Sequence, residues 1–446
     1  MILSDFNEVR GMEWFILGLF SGALLFCITL KISLFYALLF GLGLFLLYGK
    51  SRGFSWKNLF RLTLDGVKTV KNIMPTFLLI GMLTAAWRAS GTVPAIVSYA
   101  SVLIRPSVFL LMAFLLNCGV SFLTGTSFGT AATMGVICTT MAAAMGINPY
   151  LAGGAVLSGV YFGDRCSPAS TTALLISEIT GTDLFDNLKR MMRSARTPFL
   201  LVCLIYGVLG LFLRNAQGGM DLRTLFTVEF RLHWLALFPA VVILLLSLLR
   251  VKVKLVMLVS ILAAVPLCLF LQDMTVAEVA KALIFGYEAS SPELAAMING
   301  GGLLSMVSVV GMMCLTSSFS KLLQETGLLK KATNLVERVA KKTTGFTAIF
   351  LTAVLTAMIS CSQMLAILLT EQLCRGLAED QAQFANDLED TTVIVAPWFP
   401  WSMAVAVPLA TLGVPNGALL CACYLYLLPL WRMAKSFYVK RRNRAE

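Results

Sequence analysis

The chain has 446 residues, 58% of them hydrophobic and 13% charged, with a mean hydropathy of +0.84. A soluble domain carries about 25% charged residues, so a water-soluble globule is excluded. The net charge of +12 comes from 35 Lys and Arg against 23 Asp and Glu; these basic residues gather between apolar runs and at the tail, which reads as membrane topology and not as nucleic-acid binding.

Residues 12–30 ("MEWFILGLFSGALLFCITL") and 32–48 ("ISLFYALLFGLGLFLLY") open the chain with two apolar runs. A bilayer span needs about 17–25 apolar residues, and the absence of alternation excludes β-barrel strands. Asp5 and Glu8 precede the first run, Glu13 stands at its start and a second run follows directly, so the start reads as a span and not as a cleaved signal peptide. Residues 1–72 are expected to hold these two spans and a basic loop from Lys50 to Lys71. Further basic clusters lie at 189–196, 250–254, 330–342 and 432–444. Placing all five on the cytoplasmic side of a cell (inner) membrane puts both termini inside. The loops 214–232 and 272–295 then face outside. The apolar runs 234–249 and 255–271 belong to a connecting segment, 215–296. Segments 182–196 and 322–342 carry apolar residues at helical spacing beside a basic face and read as amphipathic connectors on the membrane surface.

Two segments echo each other. "IMPTFLLIGMLTAAWRASG" (73–91) follows a basic cluster and runs outward, whereas "GGLLSMVSVVGMMCLTSSFSKLLQETG" (301–327) precedes one and runs inward. Each is followed by a hydroxyl-rich segment, "LTGTSFGTAATMG" (123–135) or "ISCSQMLAILLTEQ" (359–372), and then by a charged break, "GDRCSP" (163–168) or "LEDTTVIVAPWFPW" (388–401). This order predicts an all-α polytopic membrane protein of about 11–13 helical segments, built on two inverted repeats whose broken helices meet at the midplane. The repeats are 73–214 and 297–434, the second continuing into a basic tail to 446.

The breaks carry the candidate chemistry, because non-helical backbone at membrane depth survives only where protein or water covers it. Thr126, Ser127 and Thr130, among the glycines Gly125 and Gly129, read either as an oxygen-rich helix break or as small-xxx-small helix packing. Asp164 and Arg165 follow Gly163; an ionised side chain at the bilayer centre costs about 2.5–3.5 kcal/mol, so such residues are functional or paired. Pro168 suits a helix's first turn, with Ser167 as its cap. The other reading places Asp164 and Arg165 in an ordinary surface loop. Glu389 and Asp390 precede Pro397 and Pro400, which forbid a regular helix; Trp398 and Trp401 between and beside them also fit an interfacial aromatic belt. Glu371 is either a coupling carboxylate or an end-of-span residue. The eleven cysteines lie scattered in apolar segments and read as core residues; Cys421 and Cys423 lack a second pair for zinc, and His233 is the only histidine. No P-loop or Ser–His–Asp set appears, so neither an enzyme nor a cofactor is expected.

These motifs resemble the NhaC-type sodium/proton antiporter family, a branch of the ion transporter superfamily, over most of residues 73–434. "GTSFGT" (125–130) is similar to that family's Gly-Thr-Ser-aromatic-Gly-Thr motif, and "YFGDRCSP" (161–168) to its aromatic-Gly-Asp-Lys-x-Ser-Pro motif, with Arg165 in place of lysine. "LEDTTVIVAPWFPW" followed by "ATLGV" (410–414), and the aromatic "YLYLLPL" (424–430), complete the match. The chain departs from the family at two places: Thr171, before Thr172, stands where an aspartate is usual, and Ser362, before Gln363, replaces another.

The resemblance implies a secondary active transporter exchanging sodium, or a related cation, for protons. Asp164 would be the principal carboxylate and the place where a transported Na+ sits, with Glu389 and Asp390 as partners. Thr126, Ser127, Thr130, Ser167, Ser362 and neighbouring carbonyls would complete an oxygen shell. The two missing aspartates and the guanidinium fork of Arg165 support a second reading, coupled transport or exchange of a small organic acid or amino acid. The partners expected are the small ion or solute and the lipid bilayer, and the chain could pair as a homodimer.

Overall fold

Every regular element of the protein is a helix among the residues described. The computed structural model describes residues 15–16, 18–24, 26–27, 30, 32–71, 74–103, 105–213, 226–249, 251, 253–325, 343–360, 362–377 and 380–442. In chain order the α-helices are α1 (Leu34–Ser51), α2 (Trp56–Val70), α3 (Met74–Ala89), α4 (Thr92–Leu103), α5 (Pro106–Thr124), α6 (Ser127–Thr130), α7 (Val136–Ala144), α8 (Pro149–Cys166), α9 (Thr171–Thr180) and α10 (Leu184–Phe212). They continue with α11 (Phe238–Leu248), α12 (Val253–Phe270), α13 (Val276–Phe285), α14 (Pro292–Ile298), α15 (Val307–Glu325), α16 (Gly345–Ser360), α17 (Gln363–Cys374), α18 (Gln381–Val395), α19 (Met403–Leu412) and α20 (Cys423–Arg442).

These segments outnumber the eleven to thirteen expected because the chain interrupts its apolar stretches. Pro106–Thr124, Ser127–Ala144 and Leu184–Phe212 are long and apolar enough to cross a bilayer. Gln381–Trp398 and Met403–Leu412 together make a fourth such stretch, bent by 55° at its break. Sequence punctuation explains most boundaries. Asn148 caps α8 ahead of Pro149, accepting the Tyr150 N–H. Thr275 and Glu278 form a reciprocal capping box at α13, and Ser291 caps α14 ahead of Pro292. The expected outer loop 272–295 is therefore largely helical. Segment 182–196 is likewise not a separate connector: it is the first half of the continuous 29-residue α10, whose Asn187, Met191, Ala195, Pro198, Val202, Tyr206 and Gly210 form one buried stripe. Of the other expected connector, 322–342, residues 326–342 lie outside those described.

The chain divides into two compact units. The first comprises Met1–Met74, Val309–Val405 and Met433–Glu446. Its core is aromatic: Phe20, Phe45 and Phe319 pack edge to face with centroids 5.2–5.6 Å apart, joined by Leu38, Leu59, Leu322, Leu365 and Leu369. Trp401 belongs to this core, 5% exposed, and donates its indole N–H to the Met358 carbonyl at 2.9 Å. An aromatic-belt role for Trp401 is thereby corrected; its polar edge already has a partner inside the protein.

The second unit comprises Pro75–Ser308 and Ala406–Arg432. Its centre is the contact between α5 and α8, where small residues allow backbones to approach. A Cβ on Gly159 would collide with the Phe114 carbonyl and sit 2.8 Å from Asn117 Cβ; one on Gly163 would collide with Ser121 and Phe122. Ser121 Oγ donates across the seam to the Val160 carbonyl at 2.6 Å. Gly163 is therefore not a helix break. It lies inside α8 because the absent side chain lets α5 in. On the far side of α8, Ser158 Oγ and Tyr206 Oη are 2.7 Å apart, and Tyr206 donates to the Cys421 carbonyl at 2.8 Å.

Gly159→Ala should destabilise the detergent-solubilised protein by about 1–3 kcal/mol, because backbone must shift to admit the methyl. Gly207→Ala, in α10 with nothing within 4 Å of the new Cβ, should instead be neutral or stabilising by up to about 1 kcal/mol. Thermal unfolding followed by size-exclusion chromatography separates the two.

Candidate functional site

The path between α5 and α6 is set by one glycine. Gly125 closes α5 in the left-handed region (φ 64°), its N–H bonded to the Ser121 carbonyl at 2.8 Å. A side chain there would be strained, and would also press on Ala169, whose carbonyl carbon lies 2.5 Å from the position of a Cβ. Thr126 is then extended (φ −145°) and serves as N-cap, its hydroxyl accepting the Gly129 N–H at 3.4 Å. Helix resumes at Ser127 and runs to Ala144, through a wider π turn over Ala131–Gly135. The expected break at Gly125 is present; Gly129 lies within the resumed helix.

Asp164 meets that helix start. The carboxyl, 4% exposed, interacts with both the hydroxyl and the backbone N–H of Ser127. Tyr161, one turn earlier on α8, also bonds to Ser127. A carboxylate at a helix N-terminus faces amide hydrogens with no intrahelical partner and the positive end of the helix dipole. Hydroxyls continue the polar lining: Thr130 Oγ1 donates to the Thr126 carbonyl (2.9 Å) and lies 3.0 Å from Thr124 Oγ1, and Thr133 Oγ1 donates to the Gly129 carbonyl (2.8 Å). Thr124, Thr126, Gly129 and Thr133 line a small cavity against Ile243, Val256 and Met257, with about 20 Å³ open to the centre of a water-sized sphere. That is room for about one water or a small ion.

Arg165 points elsewhere. Successive helical residues project about 100° apart, so Asp164 reaches α6 while Arg165 reaches α10 and α20. Its guanidinium donates to Ser194 Oγ (2.8 Å), to the Met191 carbonyl (3.3 and 3.4 Å) and to Tyr424 Oη (3.4 Å), with no exposed surface. Beyond Cys166 the chain turns extended, and Ser167 Oγ accepts the Ala169 N–H at 3.1 Å. The next half-helix starts at Thr171, not at Pro168. Its cap is Ser170, which accepts the Thr172 and Ala173 N–H groups (3.2 and 3.4 Å), while Ser167 closes α8 and Pro168 sits in the turn. Thr172 is buried beside Ser170, and Thr171 is exposed.

Glu389 and Asp390 belong to the other unit, so each carboxylate site is built within its own unit. Helix α18 carries three polar rows, two at i, i+4 and one at i, i+3 spacing. In one, Asn386 Nδ2 donates to Asp390 Oδ2 at 2.9 Å. In a second, Gln383 donates to Asp387 Oδ1 at 2.7 Å and Thr391 Oγ1 to the Asp387 carbonyl at 2.6 Å. The third holds Glu389 and Thr392. Glu389 and Asp390 are 1% and 0% exposed. Asn386 Oδ1 and Thr392 Oγ1 are buried oxygens with no hydrogen bond among the described residues. Asp387 was not among the expected site residues; its signal is the Gln383–Asp387–Thr391 spacing. Among the described residues no three His, Cys, Asp or Glu side chains converge on one point.

Gln363, at the start of α17, donates to the Val393 carbonyl at 2.9 Å, tying that helix to α18. Ser362 occupies the N-cap position without making a side-chain cap. Glu371 is buried, yet its partner one turn on, Arg375, lies 2.6 Å away with 66% of its side chain exposed. The pair marks a helix end that reaches the surface. Pro397 lies in a 3₁₀ turn (Ala396–Trp398), and Pro400 stands in the gap before α19.

The sequence pattern that defines the Na+/H+ antiporter family matches residues 7–211 and 159–430. The chain is 28% identical over 382 residues to the Na(+)/H(+) antiporter NhaC of Alkalihalophilus pseudofirmus, covering 82% of each protein. It is 26% identical over 403 residues to the malate-2H(+)/Na(+)-lactate antiporter of Bacillus subtilis, covering 87% of this chain and 85% of the relative. It is 25% identical over 383 residues to the arginine/ornithine antiporter ArcD of Halobacterium salinarum, covering 81% and 78%.

Because Arg165 serves buried carbonyl and hydroxyl groups of its own fold, Arg165→Gln should cost about 1–3 kcal/mol of stability. Arg165→Lys should recover only part, since an ammonium lacks the planar fork. Melting curves of the purified protein in micelles test both.

Proposed function

The chain belongs to the Na+/H+ antiporter family, and from that we propose that it is a secondary active transporter exchanging sodium for protons, with Asp164 as the carboxylate for which the two cations compete. The observation that carries this is the burial of Asp164 against the Ser127 hydroxyl and N–H at the start of an interrupted helix. One buried negative charge can be neutralised by a proton or by a sodium ion, but not by both together. Exclusive occupancy of that kind converts two downhill leaks into an exchange. Sodium, a hard cation, takes oxygen ligands; the Asp164 carboxylate with Ser127 offers them at the start of the resumed helix, and Thr124, Thr126 and Thr133 line the small cavity on the same segment. The oxygens of Asn386 and Thr392, with Asp387, Glu389 and Asp390 on α18, supply a second set of polar groups through which cations or protons are handled.

The element order supports reading 73–214 and 297–434 as inverted repeats. Each holds helix, break, helix twice over: α5 breaks at 125–126 and α8 at 167–170, while α16 ends at Ser360 ahead of α17 at Gln363 and α18 breaks at 396–402. The basic clusters favour a plasma-membrane location with both termini cytoplasmic. The malate/lactate and arginine/ornithine relatives support a second reading, exchange of a small organic acid or amino acid. In that case Arg165 is not the residue that holds the solute, because its donors face Met191, Ser194 and Tyr424.

In everted membrane vesicles, Asp164→Asn should abolish the sodium- or lithium-dependent collapse of a preset pH gradient at unchanged expression. Ser127→Ala removes one hydrogen bond to a charged group, about 1.5–3 kcal/mol, and should raise the half-saturating sodium concentration roughly 10–100-fold. Full exchange by Asp164→Asn would end this assignment. Sodium-independent exchange of labelled malate, lactate, arginine or ornithine in proteoliposomes would favour the second reading.

A further inference from the structure

Helix α2 (Trp56–Val70) follows α1 after only four residues, 52–55. Four residues reach at most roughly 15 Å, so α2 starts at the boundary where α1 ends. It carries Lys57, Arg61, Asp65 and Lys68 in 15 residues and is no span itself. Its faces are sharply divided. Leu59, Gly66 and Val70 are buried against the protein. The fit is tight: a Cβ on Gly66 would collide with the Ser317 carbonyl and stand 2.8 Å from Ser318 Cα, on α15 of the same unit. Next around the helix comes an apolar stripe at i, i+4, i+8: Trp56, Phe60 and Leu64, exposed by 44%, 55% and 61%. Trp56 and Phe60 rings lie 6.3 Å apart. Beyond that stripe, Lys57, Arg61 and Lys68 form an exposed basic row, with Asp65 2.8 Å from Lys68 and 3.8 Å from Arg61.

We propose that α2 is a docking helix for the anionic surface of the lipid bilayer, with Trp56, Phe60 and Leu64 sunk among the acyl chains and Lys57, Arg61 and Lys68 bound to phosphate headgroups. Two features select lipid over a protein partner. The exposed apolar stripe begins where the apolar helix α1 ends, and the cations flank that stripe on the side away from the protein. This is the arrangement by which an amphipathic helix lies in the headgroup region, and basic side chains at that depth gain from negative surface potential. Arg52 and Lys50, before α2, extend the same charge. Leu59 shares its core with Phe319 and Leu322 of α15 and with Leu365 and Leu369 of α17. Lipid seated on α2 is therefore fastened to those two helices, whatever solute the chain carries.

The test uses the full-length protein. Adding phosphatidylglycerol to the solubilised protein should raise its melting temperature by a few degrees more than phosphatidylcholine does. The Lys57→Gln/Arg61→Gln/Lys68→Gln variant should lose most of that difference while melting normally in phosphatidylcholine. In liposomes, the fluorescence that Trp56→Phe removes should be quenched by lipids brominated on their acyl chains. An undiminished phosphatidylglycerol effect in the triple variant overturns the proposal. So does Trp56 emission quenched by aqueous iodide and not by brominated lipid. Emission shielded from both, together with a dimer by light scattering, overturns it in favour of a second copy on this face. If the triple variant does not fold, Arg61→Gln alone should show a proportionate loss, and no loss overturns the proposal equally.

Discussion

A carboxylate buried inside an apolar protein has to be met by hydrogen-bond donors, and the rest of the second unit is arranged around how Asp164 meets them. An intact helix offers none, since its N–H groups are already bonded along its length. Interrupting the α5 path at Gly125 and Thr126 frees the amide and hydroxyl of Ser127 at the one place where Asp164 projects. Thr126 occupies the cap, so the interruption does not expose further unsatisfied backbone. The threonines behind it bond back to carbonyls within the same segment, keeping the polar wall compact against its apolar surroundings.

The charges of the chain fall into distinct roles by the company they keep. An ion at the centre of a bilayer costs about 2.5–3.5 kcal/mol, so each needs a local counterpart. Arg165 finds it in a carbonyl and two hydroxyls contributed by distant helices, which makes it a strut of the second unit. Glu371 finds it in Arg375 at the surface. Asp164, Asp387 and Asp390 each accept from a polar side chain: a serine, a glutamine and an asparagine.

Much of this was legible in the residues. A glycine and a threonine after a long apolar run announce a helix end, and the αL cap at Gly125 confirms it. Gly163 shows the opposite case: a glycine that ends a helix and one that admits a neighbouring backbone look alike in a sequence, and only α5 lying against it tells them apart. Trp401 beside two prolines has the composition of an interfacial belt, but its indole is claimed by Met358, 43 residues away. Arg165 could not be assigned from its neighbours because its partners lie 26 to 259 positions further on. The rows on α18 were partly readable: the carboxylates of "LEDTT" stand out, while Asp387 hides one turn earlier among amides. Ser170, one of several hydroxyls after Pro168, is told from Ser167 as a cap only by the direction in which the backbone turns.

The glycine seam of α8 has a mechanical consequence. With Gly159 and Gly163 pressed onto the main chain of α5, no cushion of side chains separates the two rods, and neither can slide or roll without the other. Asp164 cannot be swung toward one side of the membrane by its own helix alone. A displacement of Asp164 would have to carry α5 and α8 as a single plank, with the slack taken up at joints such as Gly125, outside the seam itself.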